Sequence, residues 1–394
     1  MKINTDPKKI EELLTRGVEE IIDKENLRKK LLSGKKLRVK LGIDPTSPNI
    51  HIGRSIPLLK LRDFQKLGHQ LVFIIGDFTG VVGDTSDKDS ERPMLSKEKV
   101  KENMKGYTKQ AAKIIDMDKC ETRHNSEWLA KLGFWEISNQ ADQFSLAEFI
   151  ARENIRRRLD AGTRVSLREL LYPLMQGYDS VAVKADVEVG GTDQRFNLLA
   201  GRTLQGMYKQ PAQDIVMGTL LEGTDGRKMS SSYGNTIDLS ADANDMFGKV
   251  MSISDDLIIK YFSLATRVPI EMVEQSREEL AGGANPRDLK IKLAHEIVGM
   301  YHSEKSAQEA EKYFVSTFSK KEQPDEMPEV KPSSYDIITV LVEAKFCASK
   351  GDARRQIEQG GVKVNGIKVE TQNFASIQKG DVVQKGSRFF VRIR

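Results

Sequence analysis

Two cysteines occur in 394 residues, Cys120 and Cys347, far apart and in no paired spacing. A disulfide framework and a structural zinc site are therefore not expected, and a reducing cytoplasm fits. Long apolar runs are also missing: the most apolar stretch, residues 71–75, is far too short to span a membrane. The opening residues MKINTDPKKIEELL turn from polar to amphipathic, without the apolar core and small-residue cleavage site of a secretion signal. None of the glycine-rich stretches spells the dinucleotide fingerprint or the Walker loop, so the usual nicotinamide and P-loop readings lose ground.

What is present is ordinary in bulk and uneven in distribution. Hydrophobic residues make up 39% and charged residues 30%, and the length allows two or three domains, each with its own core. The net charge of +5 conceals an asymmetry: residues 331–394 hold 12 Lys+Arg against 6 Asp+Glu, the first 330 hold 50 against 51. A basic C-terminal end suits an appended nucleic-acid contact, or only a solvated surface.

The stretch LRVKLGIDPTSPNIHIGRSIPLLKLRDFQKL, residues 37–67, carries the densest signal. Residues 37–43 have strand composition, Pro45 and Pro48 exclude helix between them, and Ile52, Ile56 and Leu59 then recur at helical spacing. Strand, tight loop and helix put a helix N-terminus near residues 49–52, where backbone N–H groups and a positive dipole end suit a phosphate. His51, Gly53 and Arg54 sharpen that reading, because glycine permits close approach and the two basic side chains can meet developing charge. A second strand at 70–76 completes a βαβ unit, and hence an α/β fold with parallel strands. Ligands in such a sheet bind at the carboxyl edge, where Gly76-Asp77 and Gly83-Asp84 follow.

Residues 96–116 read as a helix, 119–123 as a short strand, and 146–159 as a basic helix whose Arg156-Arg157-Arg158 run reads as a solvated face. On the helix from 166 to about 184, Tyr172, Gln176 and Asp179 share one face. A phenol, an amide and a carboxylate among leucines make either a buried polar network or a pocket wall. A strand at 186–189, a turn at Gly190-Gly191 and a helix opening at Thr192-Asp193-Gln194 repeat the first junction and set Asp193 to accept from ribose hydroxyls; the ordinary alternative is a helix cap. After a strand at 214–217, residues 222–235, EGTDGRKMSSSYGN, form a loop expected to be exposed and mobile, with Lys228 placed to close over a triphosphate. From 240 to 318 the pattern is helical only, with Leu289, Leu293, Ile297 and Met300 as one buried stripe and His295 and His302 as structural residues. Residues 319–334 hold three prolines and many charges and read as a linker. The tail offers two helices, a hairpin turning at Asn365-Gly366, and a last strand in which Phe389, Val391 and Ile393 alternate with Arg388, Arg392 and Arg394.

HIGR at 51–54 and KMSSS at 228–232, in this order and context, resemble the two signatures of the class I aminoacyl-tRNA synthetases. GGTDQ at 190–194 with the Tyr172, Gln176, Asp179 helix is similar to the substrate pocket of the bacterial tyrosyl branch, and the tail resembles the RNA-binding module these enzymes share with a small-subunit ribosomal protein. The likeness covers the chain from about residue 35. It implies a Rossmann-like parallel-sheet catalytic domain at 1–235, an all-helical anticodon-side domain at 236–320, a linker at 321–334 and a small α+β RNA-binding domain at 335–394.

The resemblance further implies activation of L-tyrosine with ATP to tyrosyl-adenylate, then transfer to the 3′ end of tRNA(Tyr), by a cytoplasmic homodimer. Mg²⁺ would accompany ATP with no dedicated protein site. Thr46, His51, Arg54 and Lys228 would act on the phosphates, and Gly42, Asp44, Gly53, Gly191, Asp193, Ser231 and Ser232 would complete the ATP site. Lys40, Asp84, Tyr172, Gln176, Asp179 and Gln194 would surround tyrosine, with Asp179 on the phenolic hydroxyl. Lys350, Arg354, Arg355, Lys363 and Asn365 would face RNA.

Three positions depart from the family pattern: Arg54 stands for a second histidine, Ser231 for a second lysine, and Lys40 where many tyrosyl enzymes carry a tyrosine. A potassium ion near Ser231 is a candidate substitute for the lysine charge. The alternatives are a tryptophanyl enzyme on the same fold and a non-catalytic synthetase relative that binds RNA.

Overall fold

The computed structural model describes residues 2–85, 93–319, 327–369, 377–386 and 389–394. They fall into two compact units, Met1–Gln308 and Glu309–Arg394. The first is built on a six-stranded sheet: β1 (Val18–Ile22), β2 (Arg38–Ile43), β3 (Gln70–Ile75), β4 (Cys120–His124), β5 (Val187–Gly191) and β6 (Asp214–Gly218), ordered β1-β6-β5-β2-β3-β4. All neighbouring pairs are parallel except β1 with β6. The chain builds outward from β2 through β3 to β4, then returns to the other side of β2 with β5 and β6. A crevice consequently opens above the carboxyl ends of β2 and β5.

β2 and β3 read as strands because Val39, Leu41, Leu71, Val72, Phe73 and Ile74 are buried between layers, as parallel strands require. Lys40, wholly buried in the middle of β2, breaks that apolar run. The helix after β2, α1 (Ile52–Lys66), starts where the two prolines end and carries Ile56, Leu59 and Phe64 inward. α2 (Leu167–Val183), capped by Ser166 with Glu169, lies against α3 (Arg195–Met207). Their close approach rests on Gly177, where a Cβ would meet the Ala200 and Gly201 backbone at 3.0 and 3.1 Å.

β1 was not expected. Gly17, at φ 63°, follows the opening helix Pro7–Thr15, and Val18–Ile22 adds an antiparallel edge for which the sequence analysis has no element. The helix expected at 96–116 is two, Lys97–Met104 and Tyr107–Ala111. That at 146–159 is also two, Leu146–Ile150 and Glu153–Asp160. Within the arginine run, Arg156 and Arg157 face solvent, but Arg158 is 1% exposed and gripped by Glu169 at 2.5 and 3.1 Å. β5 runs straight through Gly190 and Gly191 instead of turning there.

The helical stretch belongs to the first unit as far as Gln308, and its last residues fall in the second. Its α4 (Pro286–Tyr301), capped by Asn285, buries Leu289, Leu293, Ile297 and Val298, while Met300 is half-buried. Tyr301 meets Ser55 of α1 at 2.7 Å, and His295 pairs with Glu304, a structural role as expected.

The second unit holds β7 (Glu329–Val330), α5 (Ile337–Glu343), α6 (Lys350–Glu358), β8 (Val362–Val364), β9 (Ile367–Lys368), β10 (Val382–Lys385) and β11 (Phe389–Ile393), in sheet order β7-β11-β10-β8-β9. Asn365 and Gly366 turn the hairpin with φ of 49° and 82°, as a two-residue turn of this hand demands. β7 pairs with β11, so residues 329–330, read as linker from sequence, are part of this sheet; residues 320–326 lie outside the described residues. Phe389 does not pack inward: it is 50% exposed against the Phe346 ring, and Phe390 is buried instead. Arg388 lies outside the described residues.

Candidate active site

Above β2 and β5 lies a cleft of about 440 Å³ that gathers both motif segments and the α2 face. Gly42, Asp44, Thr46, His51, Gly53 and Arg54 line it from the first junction. Tyr172, Gln176, Asp179, Gly191, Asp193 and Gln194 line it from α2 and the second, with Asp84, Lys228, Ser231 and Ser232 closing it. At Gly42 a Cβ would meet nothing within 4 Å, so the wall there stands open for a ligand.

The helix terminus differs from expectation. The first N–H groups of α1 are already engaged: Ile52 N donates to Ile237 O, Gly53 N to the Met229 sulfur, Arg54 N to His51 Nδ1 and Ser55 N to His51 O. With these four N–H groups engaged, a ligand at this terminus would be met by side chains. Burial, with the charges of Arg54 and Lys228 behind it, pushes the His51 pKa down to about 3. Neutral, and accepting at Nδ1, the imidazole carries its proton on Nε2 and acts as a hydrogen-bond donor.

Arg54 is held by Thr46 Oγ1 at 3.0 Å and the Tyr107 hydroxyl at 3.3 Å, and Tyr107 donates to Ser47 O. Lys228 bridges to Asp193 at 2.9 Å. Gly191 makes room for that carboxylate, since a Cβ there would lie 2.5 Å from Asp193 Oδ1. The Lys228 loop is not exposed throughout: Met229 is buried beside Gly53, and Asn235, 2% exposed, ties Ser230 N, Asp225 and the Lys228 carbonyl together. Ser231 and Ser232 remain exposed.

Asp179 is 3% exposed and accepts from Trp128 Nε1 at 2.8 Å and Asn125 Nδ2 at 3.3 Å. Burial outweighs these donors and the nearby Lys40 charge, raising its pKa to about 7. Tyr172 donates to Asp44 Oδ2 at 2.8 Å, and Thr79 holds Asp44 Oδ1 at 2.7 Å. Gln194 donates to Asp84 at 2.7 Å. Lys40 does not line the cleft; its ammonium sits beneath it, 2.7 Å from Glu188. Sequence reasoning missed Asn125, Trp128, Glu188 and Asn197. Glu188 had one signal, a charge inside a buried strand.

Among the described residues no group of three His, Cys, Asp or Glu side chains is placed to hold a metal ion, and Asp44, Asp84 and Asp193 each have partners. In the second unit Lys350, Arg354, Arg355 and Asn365 are exposed and Lys363 half-exposed. The Asn365 side chain is spent on Asp381 and Val382 N.

No helix among the described residues is long and apolar enough to cross a membrane. A family model described as tRNA synthetases class I (W and Y) matches residues 32–319, and one for the tyrosine–tRNA ligase SYY-like C-terminal domain matches 320–391. The tyrosine–tRNA ligase of Thermotoga maritima is 44% identical over 391 residues, 98% of each chain, and tyrosine–tRNA ligase 2 of Vibrio parahaemolyticus 46% identical over 382 residues, 96% and 97% of the two. The structure of the Archaeoglobus fulgidus tyrosyl-tRNA synthetase complexed with L-tyrosine matches with a TM-score of 0.62 at 22% identity, over 77% of this chain and 99% of that one, and so bears on the fold. With both motif segments facing one cleft and a buried carboxylate at its floor, the chain belongs to the class I aminoacyl-tRNA synthetases, in the tyrosine–tRNA ligase family.

Proposed function

We propose that the chain activates L-tyrosine with ATP and transfers it to tRNA(Tyr). The observation that carries this reading is Asp179, a buried carboxylate at the floor of the cleft that also holds His51 and Lys228. Tyrosine enters with its phenol toward Asp179 and its ammonium toward Asp84 and Tyr172. Its carboxylate attacks the α-phosphate of ATP, forming the acyl–phosphate bond and releasing pyrophosphate; the terminal ribose hydroxyl of tRNA then takes the tyrosyl group and AMP leaves. No protein nucleophile is needed, so catalysis is positioning plus stabilisation of charge on a five-coordinate phosphate. Neutral His51 donates from Nε2, and Arg54 and Lys228 supply positive charge. Asp193 holds the ribose once Lys228 turns from it to the phosphates.

The exposed hydroxyls of Ser231 and Ser232 offer hard oxygen donors for a potassium ion beside the triphosphate. Exchanging potassium for sodium is expected to slow activation, and Ser231→Lys to remove that dependence. Equal rates in both salts contradict a role for the ion. The homodimer usual in the family is supported by Phe134 and Trp135, 91% and 79% exposed, which suit a subunit face better than water.

Basic Lys350, Arg354, Arg355 and Lys363 read phosphates by charge, not base sequence. Deleting residues 320–394 spares tyrosine-dependent pyrophosphate exchange within about threefold and weakens tRNA charging more than tenfold. Loss of exchange in a folded truncated chain contradicts this division of labour.

A further inference from the structure

In the wall of the cleft, a chain of side chains runs in a direction fixed by its two ends. At one end Glu188, 1% exposed, accepts from Lys40 Nζ at 2.7 Å and Gln176 Nε2 at 3.5 Å on Oε1, and from Ser180 at 2.9 Å and Gln213 at 2.5 Å on Oε2. At the other, Asp84 accepts from Gln194 Nε2. Between them Asn197, wholly buried on α3, donates through one nitrogen to Gln176 Oε1 at 3.1 Å and Gln194 Oε1 at 2.9 Å.

Ionised carboxylates only accept, so each glutamine turns its NH₂ to its carboxylate and its oxygen to the middle. Asparagine fits there because its amide nitrogen carries two hydrogens, one for each oxygen. Lys40 adds a second restraint. Its ammonium also donates to the Gln176 carbonyl at 3.1 Å and to Ser180 at 2.9 Å, tying α2 to β2 within a turn of Asp179.

We infer that Asn197, backed by the Lys40–Glu188 pair, is a positioning residue for tyrosine recognition that locks the Gln176 and Gln194 amides in one orientation before the amino acid arrives. The inference rests on the tyrosine-activating function proposed above. Such a lock removes the alternative amide flips, each of which would set acceptor against acceptor in a site where an unpaired polar group is costly.

Asn197→Asp tests it at constant shape. The new carboxylate demands NH₂ from both glutamines, and a glutamine that turns to comply presents its oxygen to Glu188 or Asp84. In pyrophosphate exchange the KM for tyrosine is expected to rise tenfold or more while the KM for ATP stays within twofold. A buried charge can prevent folding, so two further variants are measured alongside, with thermal unfolding as the check. Asn197→Ala leaves both oxygens undonated without adding charge. Lys40→Met with Glu188→Gln removes the buried pair and frees the orientation at that end. Both should raise the tyrosine KM several-fold. Folded variants whose tyrosine KM stays within twofold of the parent, or in which both KM values rise together, overturn the inference. Absence of tyrosine-dependent exchange in the parent enzyme would instead sink the functional reading beneath it.

Discussion

Replacing Asp179 by asparagine lowers kcat/KM for tyrosine by about ten- to a hundredfold, the range set by roughly 1.5–3 kcal/mol for a hydrogen bond to a charged group. Phenylalanine, which offers nothing to that position, changes far less, so discrimination between the two amino acids collapses. On the proposed function the reason is asymmetric cost: tyrosine would donate to a buried carboxylate that also accepts from Trp128 and Asn125, whereas phenylalanine would leave it short of that donor. The same carboxylate sets a pH dependence. With its pKa raised to about 7 by burial, Asp179 in the free enzyme gains ability to accept the phenolic proton as pH rises, so kcat/KM for tyrosine climbs from pH 6 to pH 8. In Asp179→Asn that limb is absent. A profile that keeps the limb in the variant assigns it to another group.

Lys228→Met produces the second large effect and on a different quantity. The ammonium rests on Asp193 at 2.9 Å, about a third exposed, within reach of the same cleft as His51 and Arg54. In the account above it matters chiefly when charge builds on the phosphates, so kcat of exchange falls by about 10²–10³, the scale of removing one preorganised electrostatic contact. Tyrosine affinity measured without ATP is expected to stay within about twofold, because the ammonium rests on Asp193, on the side proposed for the ribose and phosphates. A loss of tyrosine affinity as large as the loss of kcat would move Lys228 out of this role.

Local pattern reached some of these features and not others, for physical reasons. Strands at 38–43 and 70–75, the start of α1 and the hairpin at Asn365-Gly366 are written in short-range signals: β-branched runs, prolines that exclude helix, a dipeptide that tolerates positive φ. The face of Tyr172, Gln176 and Asp179 follows from helical period alone and does line the cleft. β1 escaped because an edge strand of Val-Glu-Glu-Ile-Ile has no alternation to mark it as one. What surrounds Asp179 escaped because Trp128 and Asn125 lie more than fifty residues away, in a segment with no pattern of its own. Lys40 was placed against the substrate by analogy; its partner Glu188 lies 148 residues along the chain, and only the register of β2 beside β5 brings them together. Likewise the engaged N–H groups at the start of α1 depend on Met229 and Ile237, which no reading of the helix itself contains.

The most direct test of the whole account is amino-acid-dependent exchange of labelled pyrophosphate into ATP by the full-length chain, with tyrosine, tryptophan and phenylalanine compared at equal concentration. Exchange driven by tyrosine, with tryptophan and phenylalanine near background, is the predicted result. Exchange driven by tryptophan, or none with any amino acid while the folded chain still binds tRNA, would contradict it.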